Sequence, residues 1–375
     1  MRLPEYRVEG LDQIPSPAVL VFRELLERNL DQMIALSGSP DRLRPHCKTH
    51  KTREIIKLLL ARGVERHKAS TLREVAMCLE AGARDVILAY SLVGPAIEQF
   101  VDLAAQAPEA RLTSLVDCDE HVDWLARAAR ARGITVGAMV DLDTGFHRTG
   151  IPVGESAANL YARVARTEGL QLAGLHVYDA QNATLAEPAE RRSAIERTLE
   201  SVMTLVETIG RAGLAIPEIL CGGSPTFAYY APHGPPVVVS PGTAVFSDHG
   251  YSSTFSDLDT AFTPAAVVFG RVISRPGPGY VTLDIGTKAI APDPPLGKRG
   301  RVIGLEDTQT VIHNEEHWTL ASNTSDLPPV GHPVFVLPTH VCPCTNLHPV
   351  LYVIGPEGHL EDRWKVVARQ RPLTL

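Results

Sequence analysis

The stretch Leu43-Arg44-Pro45-His46-Cys47-Lys48-Thr49-His50-Lys51 places two lysines and two histidines within nine residues. A lysine amine becomes a nucleophile near neutral pH only when it is partly desolvated and still reachable. The segment reads as a strand ending and a helix beginning. Lys48 then stands at a strand's C-terminal tip, which in an α/β barrel points into the mouth where active sites are built. The plainer alternative makes Lys48 and Lys51 two solvated charges opening a helix.

Other segments carry chemistry of their own. Cys221-Gly222-Gly223-Ser224-Pro225-Thr226 and Ser240-Pro241-Gly242-Thr243 both follow late strands, and their glycines and hydroxyls suit phosphate oxygens. Taken singly each is a turn; on adjacent strand ends they make a pair. Val140 to Gly150 contains an Asp-x-Asp, ordinarily a turn, and Arg148, which can hydrogen-bond an anionic oxygen. Strand alternation puts His176 and Tyr178 on one face, where a histidine can equally well fill the barrel.

Near the C-terminus, Pro338 to His348 contains His340 and Cys342, two apart on a segment that reads as extended. Side chains so spaced point the same way and suit Zn²⁺ with coordination positions left for water and substrate. A loop with incidental free cysteines is the alternative. His317 and His348 can line a substrate pocket, but strand and turn positions explain them more simply.

The elements that must position these residues alternate regularly. Apolar strands are expected at Leu43–Lys48, Arg66–Ala69, Asp85–Tyr90, Leu112–Val116, Thr135–Asp141, Leu172–Tyr178, Glu218–Cys221 and Val237–Ser240, with helical periods between most of them. Eight strands separated by helices predict a parallel (β/α)8 TIM-type barrel, because a parallel pair needs a crossover. The connection Ser224–Pro235 is short, which predicts a vestigial last helix. Polar residues at Ser70-Thr71 and Asp119-Glu120 read as helix caps. Beyond Tyr251, short strands between Gly and Pro turns predict a C-terminal all-β domain. The expected division is 12–250 for the barrel, led by the apolar strand Ala18–Phe22, and 251–375 for the β domain, with residues 1–11 adding a strand to the latter.

At 375 residues the chain has ample material for two cores, and 44% hydrophobic with 21% charged residues is ordinary for a soluble enzyme. A net charge of −7 gives no reason to expect nucleic acid or an anionic membrane as partner. No apolar run approaches the ~18 residues of a membrane span. Six scattered cysteines and a start without a signal-peptide core make the reducing cytoplasm the expected location.

Together, the lysine segment, Asp143-Thr144-Gly145-Phe146-His147-Arg148-Thr149-Gly150, the paired turns and His340-x-Cys342 resemble the D-threonine aldolase and D-serine dehydratase family. These are fold-type III pyridoxal-phosphate enzymes related to the N-terminal domain of alanine racemase, and the resemblance spans nearly the whole chain. It implies that Lys48 carries the Schiff base and that Arg148 lies near the cofactor's phenolic oxygen. Tyr178 would stand beside the pyridine ring, and Gly223, Ser224, Thr226, Gly242 and Thr243 would hold the phosphate. His340 and Cys342 become the metal ligands, for Zn²⁺ or for the harder Mn²⁺ or Mg²⁺.

Where alanine racemase has an arginine before the Pro-Gly of its eighth-strand turn, this chain has Ser240, and no segment matches the racemase's catalytic tyrosine; racemization is disfavoured. Within the metal-dependent branch, dehydratases resemble His-x-Cys and aldolases His-x-Asp, so Cys342 leans toward dehydration. The expected function is therefore a lyase on β-hydroxy-D-amino acids, a D-serine or 3-hydroxy-D-amino acid dehydratase, with D-threonine aldolase as the alternative. A non-catalytic pyridoxal-phosphate carrier stands further off, since such proteins are single barrels without a β domain. The resemblance also implies a homodimer.

Overall fold

The computed structural model describes residues 6–324 and 326–373. It forms two compact units. One comprises Met33–Lys48 with Arg53–Gly242; the other comprises residues up to Gln32, Thr49–Thr52 and Thr243–Arg369.

The first strand, β1 (Ala18–Phe22), is buried along its whole length. It pairs antiparallel and parallel with two strands of the C-terminal region, and so belongs to the second unit rather than to the barrel segment 12–250 in which it was grouped. Its local pattern, an apolar strand running into the helix Arg23–Ser37, mimics a βα unit. Only partners more than 240 residues away reveal its true sheet.

The parallel sheet consists of β2 (Arg66–Ala69), β3 (Asp85–Ser91), β4 (Arg111–Val116), β5 (Val136–Asp143), the two-residue β6 (Ile151–Pro152) beside β5, β7 (Leu170–Val177), β8 (Ile219–Cys221) and β9 (Val237–Val239). Helices follow each in the expected rhythm, and the one after β8 is cut to Phe227–Tyr230. Leu43–Lys48 is not a strand. Pro45 lacks an amide proton, and Cys47–Thr49 winds into a 3-10 turn, so only isolated bridges form. Leu43 pairs with Val239 and His46 with Lys68; the Arg44 amide donates to Val239 O at 2.9 Å and the Lys68 amide to Pro45 O at 3.0 Å. This irregular segment therefore bonds both edges of the curled sheet.

Ile87, Leu115, Met139, Leu220 and Val238, one from each of five strands, fill the sheet's interior. The filling leaves chemistry to the strand ends. At the N-terminal ends, buried Arg44 makes bidentate bonds of 2.9 Å to Glu218 and a 2.8 Å bond to Asp85, which also pairs with Arg111. This end is a structural tie. Thr71 caps the helix Leu72–Glu80 by accepting from the Glu74 amide. The cap before Asp119–Ala131 is instead Cys118, without a side-chain bond, and the acidic pair occupies the first helical turn.

The second unit carries β1 with β10 (Ala266–Ser274), β11 (Tyr280–Leu283), β12 (Gly300–Val302), β13 (Gln309–His313), β14 (Trp318–Ala321), β15 (Pro333–Pro338), β16 (Val350–Ile354) and β17 (Leu360–Lys365). The order is β13-β14-β11-β10-β1-β16-β17, with β15 between β10 and β12. All pairs but β1–β16 are antiparallel. The extra strand expected in residues 1–11 does not form over 6–11, and residues 1–5 lie outside the described residues. Tyr6 instead packs on Phe22 and donates to Pro264 O at 2.9 Å. Among the described residues no helix is long and apolar enough to cross a membrane.

Candidate active site

The C-terminal ends of the parallel strands collect the polar groups. Lys48 sits half-buried in the 3-10 turn, its amide donating to His46 Nδ1 at 3.3 Å. Lys68, the penultimate residue of β2, is buried with its ammonium 5.6 Å from the centre of the Tyr178 ring. Arg148 covers the same ring at 4.7 Å. Burial first, then the nearby charge of Lys48, holds the Lys68 amine down to about 7, while Asp141 pulls the other way. Lys68 was not singled out from sequence, although a lysine inside the short strand Arg66-His67-Lys68-Ala69 is signal enough.

Asp141 is not the turn residue that its Asp-x-Asp suggests. Buried at the end of β5, it accepts from Thr149 Oγ1 at 2.8 Å and lies 2.6 Å from His176 Nδ1. His176 is buried, and its Nε2 has no hydrogen-bond partner. Burial chiefly, then Lys68, lowers its basicity, so the ring is neutral with the Nδ1 proton on Asp141 and a bare Nε2 lone pair. Asp143 does build the turn. Its Oδ1 accepts from the amides of Gly145 and His147 at 2.9 and 3.0 Å, and its Oδ2 lies 2.7 Å from His147 Nδ1. The turn closes at Gly150, where a Cβ would come within 2.5 Å of the Asp143 nitrogen. Arg148 rides this turn.

The paired phosphate turns are part of the same unit up to Gly242. Thr226 faces inward. Its hydroxyl donates to Asp179 Oδ1 at 2.9 Å and accepts from the Gly223 amide at 3.1 Å, so it fixes the shape of the turn from behind. The Gly242 amide donates to Ser224 Oγ at 3.1 Å, which ties the two turns together. A Cβ at Gly223 would stand 3.2 Å from the Tyr178 ring, so glycine there lets the ring lie close. Ser240 Oγ is buried without a partner. Two cations over one aromatic ring, an orphaned hydroxyl and a half-buried lysine fit an anionic, aromatic aldehyde such as pyridoxal phosphate.

In the second unit, His340 and Cys342 do not share an extended segment as expected. His340 is the extended N-cap, and Cys342 is the second residue of the helix Val341–Leu347. Strand alternation therefore does not align them; the helix start does. His340 Nδ1 lies 2.6 Å from Asp293 Oδ2, which leaves Nε2 as the nitrogen that could ligate a metal. Burial opposes the imidazolium, but Cys342 and Asp293 outweigh it and lift His340 to about 9. Cys342 Sγ lies 3.2 Å from the hydroxyl of Thr49, the residue after Lys48, and 3.5 Å from that of Thr243. Imidazole plus thiolate fits a Zn²⁺-class ion. Neither His317 nor His348 joins them: His348 is buried on Ala289 O at 2.8 Å, and His317 belongs to the turn before β14.

Residues 23–249 match the family model described as alanine racemase, N-terminal domain, and residues 265–354 the one described as putative serine dehydratase domain. A D-threonine aldolase of an Arthrobacter species is 27% identical over 366 residues, covering 96% of this chain and 94% of its own. D-threo-3-hydroxyaspartate dehydratase of Delftia sp. (strain HT23) is 24% identical over 372 residues, covering 93% and 96%. The crystal structure of D-threonine aldolase from Filomicrobium marinum superposes with a TM-score of 0.89 at 27% identity, over 98% of each chain. Variants of the dehydratase match at TM-scores of 0.83 and 0.81; one has a histidine replaced by alanine, and the other, metal-free, a cysteine two positions later.

Proposed function

The chain belongs to the family of the alanine racemase N-terminal domain, and on that footing we propose that it is a pyridoxal-phosphate- and metal-dependent lyase that dehydrates a β-hydroxy-D-amino acid to a 2-oxo acid and ammonia. The observation that carries the choice of reaction is the His340-x-Cys342 pair. A histidine and a cysteine at the same spacing are the residues altered in the solved dehydratase variants, and the cysteine variant was solved in a metal-free form.

Lys48, Arg148, Tyr178, Gly223, Ser224, Gly242 and Thr243 would hold the cofactor, with Thr226 setting the shape of the turn. When bound, pyridoxal phosphate supplies an electron sink for negative charge developing at the substrate's Cα. His340 and Cys342 would hold Zn²⁺, whose Lewis acidity at the β-hydroxyl makes that group a better leaving group. The chain's own contribution is positioning and proton transfer. Lys48, on a backbone held by Pro45 and His46 contacts to both sheet edges, takes the Cα proton. Asp141 fixes His176 in one tautomer, so Nε2 accepts rather than donates. Arg148 and Lys68 supply positive charge for anionic oxygens. The β-hydroxyl would leave as water, taking the proton that Lys48 removed from Cα, and the enamine released would hydrolyse with a water molecule to the 2-oxo acid and ammonia. A homodimer, implied by the resemblance, in the cytoplasm expected from the scattered cysteines completes the reading.

Retro-aldol cleavage to glycine and an aldehyde is the second reading, favoured by the 27% identity to the two D-threonine aldolases. Product analysis decides between them. The purified protein, loaded with pyridoxal phosphate and Zn²⁺, is given D-serine, D-threonine and D-threo-3-hydroxyaspartate in turn. A 2-oxo acid with ammonia is the expected outcome. Glycine with an aldehyde would replace dehydration by the aldolase reaction, and no product from a cofactor-loaded protein would overturn both in favour of a carrier.

A further inference from the structure

Asp117 and Cys118 end the loop after β4, and His121 lies one turn into the helix Asp119–Ala131. One ligand atom from each of the three falls within 4.8 Å of the other two. His121 Nδ1 is 2.7 Å from Asp117 Oδ1. All three are partly exposed, and Asp117 and Cys118 border an open cleft of about 880 Å³ that also includes Ser156, Asn159 and Arg163. The charge of Arg163 is paired there with Asp119 and Asp123.

We propose that Asp117, Cys118 and His121 form a metal site of their own, for a borderline ion of the Zn²⁺ class, that locks the turn carrying Arg148. Carboxylate, thiolate and imidazole are the donors such an ion selects, and three protein ligands leave a position open to the cleft. The division of labour on Asp117 makes the lock. Oδ2 accepts the Gly150 amide at 3.0 Å, while Oδ1 faces His121. An ion taking the place of the proton between Oδ1 and His121 leaves the Gly150 bond intact and immobilises the carboxylate that anchors the turn. The other cluster of this kind among the described residues, His46, Cys47 and Glu74, is already consumed: Glu74 accepts from the Ser70 amide and hydroxyl at 2.6 and 2.9 Å, and both the Cys47 thiol and the Glu74 carboxylate are buried. This inference does not rest on the proposed reaction.

The test uses the full, cofactor-loaded chain carrying His340→Ala and Cys342→Ala, dialysed against micromolar Zn²⁺, with bound zinc counted per chain. One zinc per chain should remain, and adding either Cys118→Ser or His121→Ala should weaken it at least tenfold. Loss of all zinc with His340 and Cys342, or retained zinc indifferent to both further changes, would overturn the site. A measurement without those changes guards against misfolded variants. In the unaltered chain, Zn²⁺ should slow alkylation of Cys118 by iodoacetamide at least tenfold, read by peptide mass spectrometry; equal rates would also overturn it.

Discussion

Asp141 and His176 are direct register partners on the adjacent parallel strands β5 and β7, and their side chains meet at 2.6 Å. Their separation in sequence is 35 residues, but the ladder leaves them no other arrangement. The carboxylate can only accept, so it fixes the proton on Nδ1 and leaves Nε2 bare in a buried place. Asp141→Asn keeps the shape and offers an amide where the carboxylate was, allowing the other tautomer. Turnover should fall at least tenfold, with a weaker cofactor affinity measured by fluorescence titration. Unchanged values for both would show that the pair is only packing.

A lysine buried among cations has a pH signature. Folding holds Lys68 at about 7 against an ordinary 10.5. The folded state therefore binds fewer protons than the unfolded one between those values. Stability through this group rises with pH across the window, and the whole penalty is present below about 7. Lys68→Met should stabilise the cofactor-free chain most at pH near and below 7, with the gain fading toward 10.5. Urea titrations across that range measure it. A gain independent of pH would assign the effect to apolar packing instead.

Much of this was legible in the chain, for a physical reason. Strand periodicity and helix punctuation are local, so the parallel strands and the barrel architecture follow from windows of ten residues. Pairing partners are not local. That is why β1 falls inside the segment 12–250 when the chain is divided by local pattern, and why β17, Leu360-Glu361-Asp362-Arg363-Trp364-Lys365, hides behind the charges of an exposed edge. The chemical residues were legible by type but less by direction. Thr226 has the expected hydroxyl in the expected turn, but no spacing reports that it donates inward to Asp179. Lys68 and Asp141 matter through burial, which no spacing reports.

Arg44 should prove the costliest charge to remove. It is buried, with both Glu218 oxygens and Asp85 on one guanidinium, four residues before Lys48. Arg44→Ala leaves Glu218 buried without its main partner, for which about 3–5 kcal/mol of lost stability is expected. Lysine cannot reproduce the fork, so Arg44→Lys should recover less than half. Denaturant unfolding of both variants measures this; a loss below 1 kcal/mol in Arg44→Ala would mean that water replaces the arginine cheaply.

The bond between Asp293 and His340 makes the last prediction. At 2.6 Å the carboxylate orients the ring, and under the proposed function it would make Nε2 a better ligand. Asp293→Asn should therefore weaken metal binding by about 10–100-fold, the usual cost of losing such a partner, while pyridoxal phosphate stays bound. Zinc remaining after dialysis against a graded chelator gives the affinity, and the cofactor's visible absorbance reports on the rest of the site. If turnover needs the metal, activity should fall in step with zinc and return at high zinc. Activity lost with zinc fully retained would place Asp293 in the chemistry rather than behind the ligand.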